Sequence, residues 1–472
     1  MSIAPIISKL LTFISTVYII RNLPVTEYGI YVTVCTFVGL FVVAIDAGLN
    51  TLATREIARD HAIANRCFVN VVVLRSILAV LVFLLTNLVA YFLNYEPLTR
   101  SYILLFSLFL LTHGMFESYI FVFNGLERME YNALVTIAFS LLANGAYCLA
   151  IYLGYGIRPL FIIPIVVSVC TGFAMYVLIV RNLISFKLEF DFPFALSLLK
   201  DSWPFAALAV FGMIYNKVDI IMLSKMSGAE SVSYYGSAYK LINALFIFSS
   251  AYTVAIFPLF SQLSVNSAEK LFFTYKLSFK IMAAVAFPVV ACVSLLSNEI
   301  IVLFFKTNYL AAAAPLRILV WSVLLIYFTT VIQCIMYSFN RQKMVAAVLG
   351  CTTILNIVLN LALIPRYSYL GASISTIICE AFNLIVYYYL ISKTLPRLPW
   401  SAVFLKPLIA TAILSGSLIL LKPMVIADIY LYLLPVMAIA MIVYGLVYRQ
   451  MKPFNASEIE QLERIPIIRL II

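Results

Sequence analysis

The sequence predicts an all-α polytopic membrane protein of about 14 transmembrane helices, two six-helix lobes followed by two C-terminal helices. Three observations carry that expectation. The 472 residues are 64% hydrophobic and only 11% charged, with a mean hydropathy of +1.07, which leaves too little polar surface for a water-soluble globule. The apolar runs are mostly about 20 residues or longer, enough to cross about 30 Å of hydrocarbon as helices; barrel strands would alternate in polarity over about ten residues. The halves also echo one another. "RNLPVTEYGIYVTVCTFVGLF" (21–41) resembles "SKMSGAESVSYYGSAYKLINALF" (224–246), and "FNGLERM" (123–129) resembles "FNRQKM" (339–344). An offset of about 210 residues equals six spans with their loops, so the repeats are parallel.

Charge and turn clusters cut the chain in order. Span 3–21 ends at Arg21 and Pro24, and 28–53 runs out into Arg55, Glu56, Arg59 and Asp60. Span 67–93 lies between Arg66 and Asn94, 101–124 between Arg100 and Glu127, and 131–153 before Gly154 and Gly156. Span 159–181 closes at Arg181, 202–223 lies between Lys200 and Lys225, 233–261 follows Glu230, and 271–297 follows Lys270. Span 311–339 follows Lys306, 344–364 runs from Lys343 to Pro365, and 370–391 stops at Lys393. The last two, 402–421 and 428–448, are separated by Lys422 and Pro423. The expected organisation is an N-lobe over 1–182, a linker over 183–201, a C-lobe over 202–392, a helix pair over 402–448 and a tail over 449–472. In the linker, Phe186, Leu188, Phe190 and Phe192 alternate with Lys187, Glu189 and Asp191, the pattern of a segment lying along the inner membrane surface. In the tail, Ser457 and Glu460 have capping-box spacing ahead of an interfacial helix.

Lys and Arg are more than twice as frequent on the side of the connections that shares the N-terminus, which puts both termini in the cytoplasm. That bias also accounts for the net charge of +11, since no soluble basic module interleaved with aromatics exists to bind nucleic acid. The eight cysteines lack CxxC pairing and mostly sit in apolar runs, as packing residues do. There is no GxxxxGK[ST] phosphate loop, and with His61 and His113 the only histidines no His/Cys/Asp cluster has metal-ligand spacing. No catalytic residues, metal or cofactor are expected. The short outer connections give a membrane glycan polymerase or ligase nowhere to build an active site.

The residues able to carry chemistry are the charges inside the spans. Near mid-helix each costs roughly 2.5 to 3.5 kcal/mol, so most must line water or pair. Lys9, Arg75, Lys240 and Lys280 fall near the midplane; Lys9 is about 18 Å along its helix from Arg21. Lys217 and Arg317 sit within two turns of an outer end, where snorkelling competes with a cavity role. The acids are Asp46, Glu117, Asp219 and Glu380, as structural ion pairs or as carboxylates able to exchange a proton. Midplane cations in a two-lobed bundle predict a cationic central cavity, which suits phosphate or pyrophosphate. Mid-span Tyr215 and Tyr239 would stack on sugars or, more simply, pack.

Together "RNLPVTEYGIY", "IDAGLNTLATREIARD", "NKVDIIMLSKMSGAESVSYYGSAYKL" and "FFKTNYLAAAAPLRIL" resemble the polysaccharide repeat-unit (Wzx-type, O-antigen) flippases of the multidrug/oligosaccharidyl-lipid/polysaccharide exporter superfamily, over nearly all of 1–448. The resemblance implies alternating access that moves an undecaprenyl-pyrophosphate-linked oligosaccharide between leaflets of a bacterial inner membrane. It also implies a proton or sodium counter-ion in some members, and work beside the polymerase and chain-length proteins of the pathway. It suggests Lys9, Arg75, Lys240 and Lys280 for the headgroup and marks Asp46, Arg55 and Asp219 as recurring positions; from the charges inside the spans, Lys217 joins the headgroup candidates, and Glu117 and Glu380 join Asp46, Asp219 and Arg55 as candidates for ion coupling or gating. The chain departs from the pattern in having only eight residues before Lys9. A cation-coupled multidrug exporter and a peptidoglycan-precursor flippase share the architecture. The excess of bases over acids within the spans argues against the exporter.

Overall fold

The computed structural model describes residues 4–117, 119–184, 186–455 and 458. Helices α1 (Ala4–Asn22), α2 (Val25–Asp46), α3 (Leu49–Arg59), α4 (Ala64–Phe92), α5 (Pro97–Phe116), α6 (Tyr119–Gly125), α7 (Met129–Tyr152), α8 (Arg158–Asn182) and α9 (Phe192–Met226) lead into α10 (Gly228–Asn266). Then come α11 (Ala268–Leu295), α12 (Ser297–Phe305), α13 (Ala313–Ser338), α14 (Gln342–Ile391), α15 (Trp400–Ala427) and α16 (Ile429–Gln450). No strand occurs among the described residues, and eleven of their helices are long and apolar enough to cross a membrane. The chain is a multi-pass all-α protein. It forms two compact units, 1–233 and 234–472.

In the first unit, the stretch expected as one span over 28–53 is interrupted. Ala47 and Gly48 take left-handed φ of 45° and 76°, ending α2 at Asp46 and starting α3 one residue later. The run over 101–124 is interrupted too, between Phe116 and Tyr119. The two short helices below these breaks pack together: a Cβ on Gly125 of α6 would lie 2.7 Å from Ile57 of α3. Leu52, Ile57, Phe68, Phe121 and Phe123 bury one hydrophobic cluster there.

Of the described residues in the linker expected over 183–201, only those up to Asp191 lack helix; Asp191 caps α9 by accepting from the backbone N–H of Phe194 at 3.1 Å. The linker's extended backbone is satisfied by α4 side chains rather than by a sheet. The Asn65 amide donates to Lys187 O and accepts from Lys187 N, while Asn70 donates to Glu189 O and accepts from Asp191 N. Arg66 closes the clamp on the Asp191 carboxylate and, with the Phe194 N–H, holds that carboxyl below the usual range. The folded value is the lowered one, so the clamp contributes above the ordinary carboxylate pKa and is lost only as pH falls through the lowered value.

In the second unit α14 has 50 residues, about 75 Å if straight and too long for one crossing. It is bent back at Ser368 (φ 50°, ψ −130°), just past Pro365, which separates the spans expected over 344–364 and 370–391. Gly371 allows the return, since a Cβ there would lie 2.4 Å from Leu363 O. The arms are joined by polar contacts: Thr352 Oγ1 donates to Asn383 Oδ1 at 2.5 Å, and Tyr387 donates to Val345 O at 3.2 Å. The Ser457 capping box falls outside the described residues.

Helices also close in at Gly29 of α2, where a Cβ would lie 1.8 Å from the Ala229 carbonyl oxygen. Small residues at such crossings let backbones approach inside a membrane. Gly29→Ala is expected to destabilise the purified protein by about 1–3 kcal/mol despite the better helix propensity of alanine. Gly39→Ala, with nothing within 4 Å of its Cβ, is the control. Equal thermal-unfolding midpoints for the two variants would refute the close approach.

Candidate functional site

The charged groups of the first unit gather at its two helix breaks. Asp46 is the last residue of α2, and its Oδ1 accepts from the Asn50 N–H at 3.2 Å across the Ala47–Gly48 turn. The same oxygen accepts from Arg75 of α4, whose side chain is only 2% exposed. A buried guanidinium is costly unless a carboxylate meets it, so the break in α2 and the arginine of α4 satisfy one another. On α5 the Glu117 carboxylate lies 3.0 Å from His113 Nε2, one turn away, and within electrostatic reach of Arg75. Gly114 lets α5 approach at this level, since a Cβ there would lie 2.6 Å from Ala79 and 3.1 Å from Arg75 O.

Beside the α5–α6 break is a cavity of about 180 Å³. His113, Glu117, Thr136, Ser140, Ser168 and Thr171 supply its polar lining, and Phe109 and Phe139 part of its apolar wall. Thr112 and Ser168, with hydroxyl oxygens 2.8 Å apart, tie α5 to α8 next to it. Interrupted membrane helices expose backbone groups only where they line a cavity or are buried in protein, and such breaks are where transporters hold ions and polar substrates. This lining can accept and donate hydrogen bonds and can exchange a proton at imidazole or carboxylate.

The structure thus brings Asp46, Arg75 and Glu117 together with His113, which the sequence reading considered only as a missing metal ligand. The (i, i+4) spacing of His113 and Glu117 was visible; the break that sets them in a cavity was not. Arg55 is exposed on α3 and pairs with Glu56 at 2.9 Å, below the break rather than in the cluster. Lys9 on α1 is exposed, Lys217 on α9 is half-buried, and Asp219 on α9 is buried.

In the second unit Lys280 is buried on α11, and its ammonium donates at 2.8 Å to both carboxylate oxygens of Glu458. Lys276, one turn earlier, lies 3.8 Å from the same carboxylate. Nothing in the sequence pairs a tail glutamate with a lysine 178 residues away. Glu380 is buried on the second arm of α14, 3.5 Å from the Asn383 amide that donates to it, and Lys240 on α10 is exposed. Glu299 of α12 and Lys422 of α15 form another buried-to-surface pair at 3.3 Å.

Residues 1–264 match the family described as polysaccharide biosynthesis protein, and 204–362 match MatE. The chain is 25% identical over 82% of its length to a probable flippase, AglR, of Haloferax volcanii, spanning 81% of that protein. Among solved structures it resembles lipid II flippase MurJ in an inward closed conformation, at 16% identity and a TM-score of 0.74 over 96% of this chain and 98% of that one. It also resembles an inward-facing multidrug resistance MATE family transporter of the MOP superfamily, at 15% identity and a TM-score of 0.67 over 82% and 95%.

If Asp46 exists to neutralise Arg75, removing it strands a buried cation. Asp46→Ala is expected to cost about 2 to 3 kcal/mol, less than a fully buried pair because the carboxylate is a third exposed. Adding Arg75→Met should recover most of that loss. Thermal unfolding of the four proteins of the cycle decides; losses that simply add would mean the two residues are not coupled.

Proposed function

The chain belongs to the polysaccharide biosynthesis protein family, and on that premise we propose that it is a flippase of the MOP superfamily that moves a lipid-linked oligosaccharide across the membrane by alternating access. The observation that carries the reading is the family match over residues 1–264. The charged and hydroxyl-lined features inside its helices support it, because a bundle with no polar cargo gains nothing from their cost. The finer proposal is an undecaprenyl-pyrophosphate-linked repeat unit of O-antigen or another surface polysaccharide, taken from the cytoplasmic to the outer leaflet of a bacterial inner membrane. On this proposal both termini are cytoplasmic, and the cargo passes on to the polymerase and chain-length proteins of the same pathway.

The chemistry follows from the cargo. A pyrophosphate offers several acceptor oxygens, which lysine and arginine replace for water during passage. We propose Lys9, Lys217 and Lys240 for that contact, with Arg75 and Lys280 contributing when their carboxylate partners yield. Asp46, Glu117, Asp219, Glu380 and Arg55 are the proposed coupling and gating residues, with a proton or sodium ion as counter-ion. The His113–Glu117 pair suits a proton, since it sets an imidazole nitrogen and a carboxylate oxygen 3.0 Å apart. A second reading, a cation-coupled drug exporter, is favoured by the MatE match over 204–362. Efflux of ethidium from cells overproducing the chain would support it.

In a strain lacking the gene, lipid-linked repeat units are expected to accumulate on the cytoplasmic face and surface glycan to fall at least about tenfold, with the wild-type gene restoring both. Lys9→Ala, Lys217→Ala and Lys240→Ala are each expected to restore less than wild type at equal protein levels. Normal surface glycan in the deletion strain, with no second flippase gene, would remove the function. Full restoration by all three variants would remove only the assignment of these lysines.

A further inference from the structure

The second unit contains an anion site that its own C-terminal segment fills. We propose that Lys276 and Lys280, with Lys406 alongside, form a binding site for a phosphate- or diphosphate-bearing headgroup, and that Glu458 occupies it as an autoinhibitory stand-in. This rests on the lipid-linked cargo proposed above and adds its regulation.

Lys276 and Lys280 are one helical turn apart on the same face of α11, and Lys280 lies about 18 Å along that helix from Ala268. Beyond α16 the chain returns to this face. Lys406 of α15 donates to Lys452 O at 2.8 Å, and Lys280 donates to Pro453 O at 3.1 Å. The Phe454 ring lies 5.9 Å from the Lys280 ammonium and edge-on to Tyr448. The Glu458 carboxylate, with a side chain 1% exposed, then takes both 2.8 Å bonds from Lys280 and a third, at 2.9 Å, from the Asn455 N–H. Two of these features, a cation at both oxygens and a second cation nearby, are what an anionic headgroup takes, whereas the Asn455 N–H belongs to the filling segment itself.

The charges do not balance. Among the described residues Glu458 is the one acid paired with Lys276 or Lys280, so a single negative charge answers two ammonium groups, with Lys406 and Lys452 adding more positive charge around the segment. Burying an ion pair is a poor route to stability, and burying one with excess positive charge is poorer still. A diphosphate carries more charge and more acceptor oxygens than a carboxylate, so it competes for the site. The plug is also removable. The described contacts of Lys452, Pro453, Phe454 and Glu458 are two lysine-to-carbonyl hydrogen bonds, one aromatic contact and the carboxylate itself, so a competing anion at Lys280 replaces the strongest of them.

The test is binding by the purified full-length chain in phosphatidylcholine nanodiscs, titrated separately with inorganic pyrophosphate and with farnesyl diphosphate. Glu458→Gln is expected to bind diphosphate about tenfold more tightly than wild type, and Glu458→Gln with Lys280→Met to lose that gain. A gain for both probes makes the diphosphate itself the ligand; a gain for farnesyl diphosphate alone assigns the site to a lipid headgroup. No gain for either overturns the proposal. The charge swap Lys280→Glu with Glu458→Lys keeps a pair and guards against misfolding; diphosphate binding as tight as in Glu458→Gln would also overturn it. Export in the deletion strain is a separate readout. A chain that gains diphosphate binding in Glu458→Gln but does not support export keeps this site and loses the transport reading; the reverse outcome does the opposite.

Discussion

Charge is expensive in hydrocarbon, and that cost governs both the protein and the cargo proposed for it. A lysine or arginine at mid-helix costs roughly 2.5 to 3.5 kcal/mol unless something answers it. Here carboxylates answer it: Asp46 meets Arg75, Glu458 meets Lys280, and Glu299 meets Lys422. A lipid-linked glycan faces the same barrier when its headgroup crosses. A path that supplies ammonium, guanidinium and hydroxyl groups in place of water lowers it. Cations already held by carboxylates are suited to this, because the cation stays paired as one anion replaces another and only the released carboxylate has to reach water or take up a proton.

The breaks in the helices follow from the same cost. An unbroken apolar helix offers lipid and partner nothing polar, whereas the turn after Asp46 sets its carboxylate against Arg75, and the Glu117 carboxylate lies where α5 ends. Next to them α3 and α6 share one hydrophobic cluster with residues of α4, α8 and α9, which fixes the short helices against the longer ones. The 180 Å³ cavity, with its imidazole, carboxylate and hydroxyl lining, lies beside the second break.

Much of the fold could be read from residue order, because lipid forces each span to satisfy its own backbone and leaves long apolar runs between charges. The runs ending at Arg21, Arg181 and Lys393 are helices in the structure, whereas the break at Ala47 and Gly48 falls inside a stretch expected as one span. The site was less legible. Arg75 and Asp46 were picked out separately by depth, but their pairing depends on how α2 crosses α4, which no local pattern records. Lys280 read as a cavity cation because its partner lies in a tail whose composition suggested only an interfacial helix. Gly29 and Gly114 carried no signal at all, since a glycine in an apolar run looks alike whether or not another backbone touches it.

The most direct measurement of the central claim, that this chain lowers the barrier to a charged, glycan-bearing lipid, is leaflet exchange in proteoliposomes. A fluorescent lipid-linked oligosaccharide would be incorporated and its exposure to an external quencher followed over time. The account predicts exchange well above the protein-free rate with the wild-type chain, weakened when the internal cations are removed. Exchange at the protein-free rate from a folded, correctly inserted chain, with and without proton and sodium gradients, would contradict it.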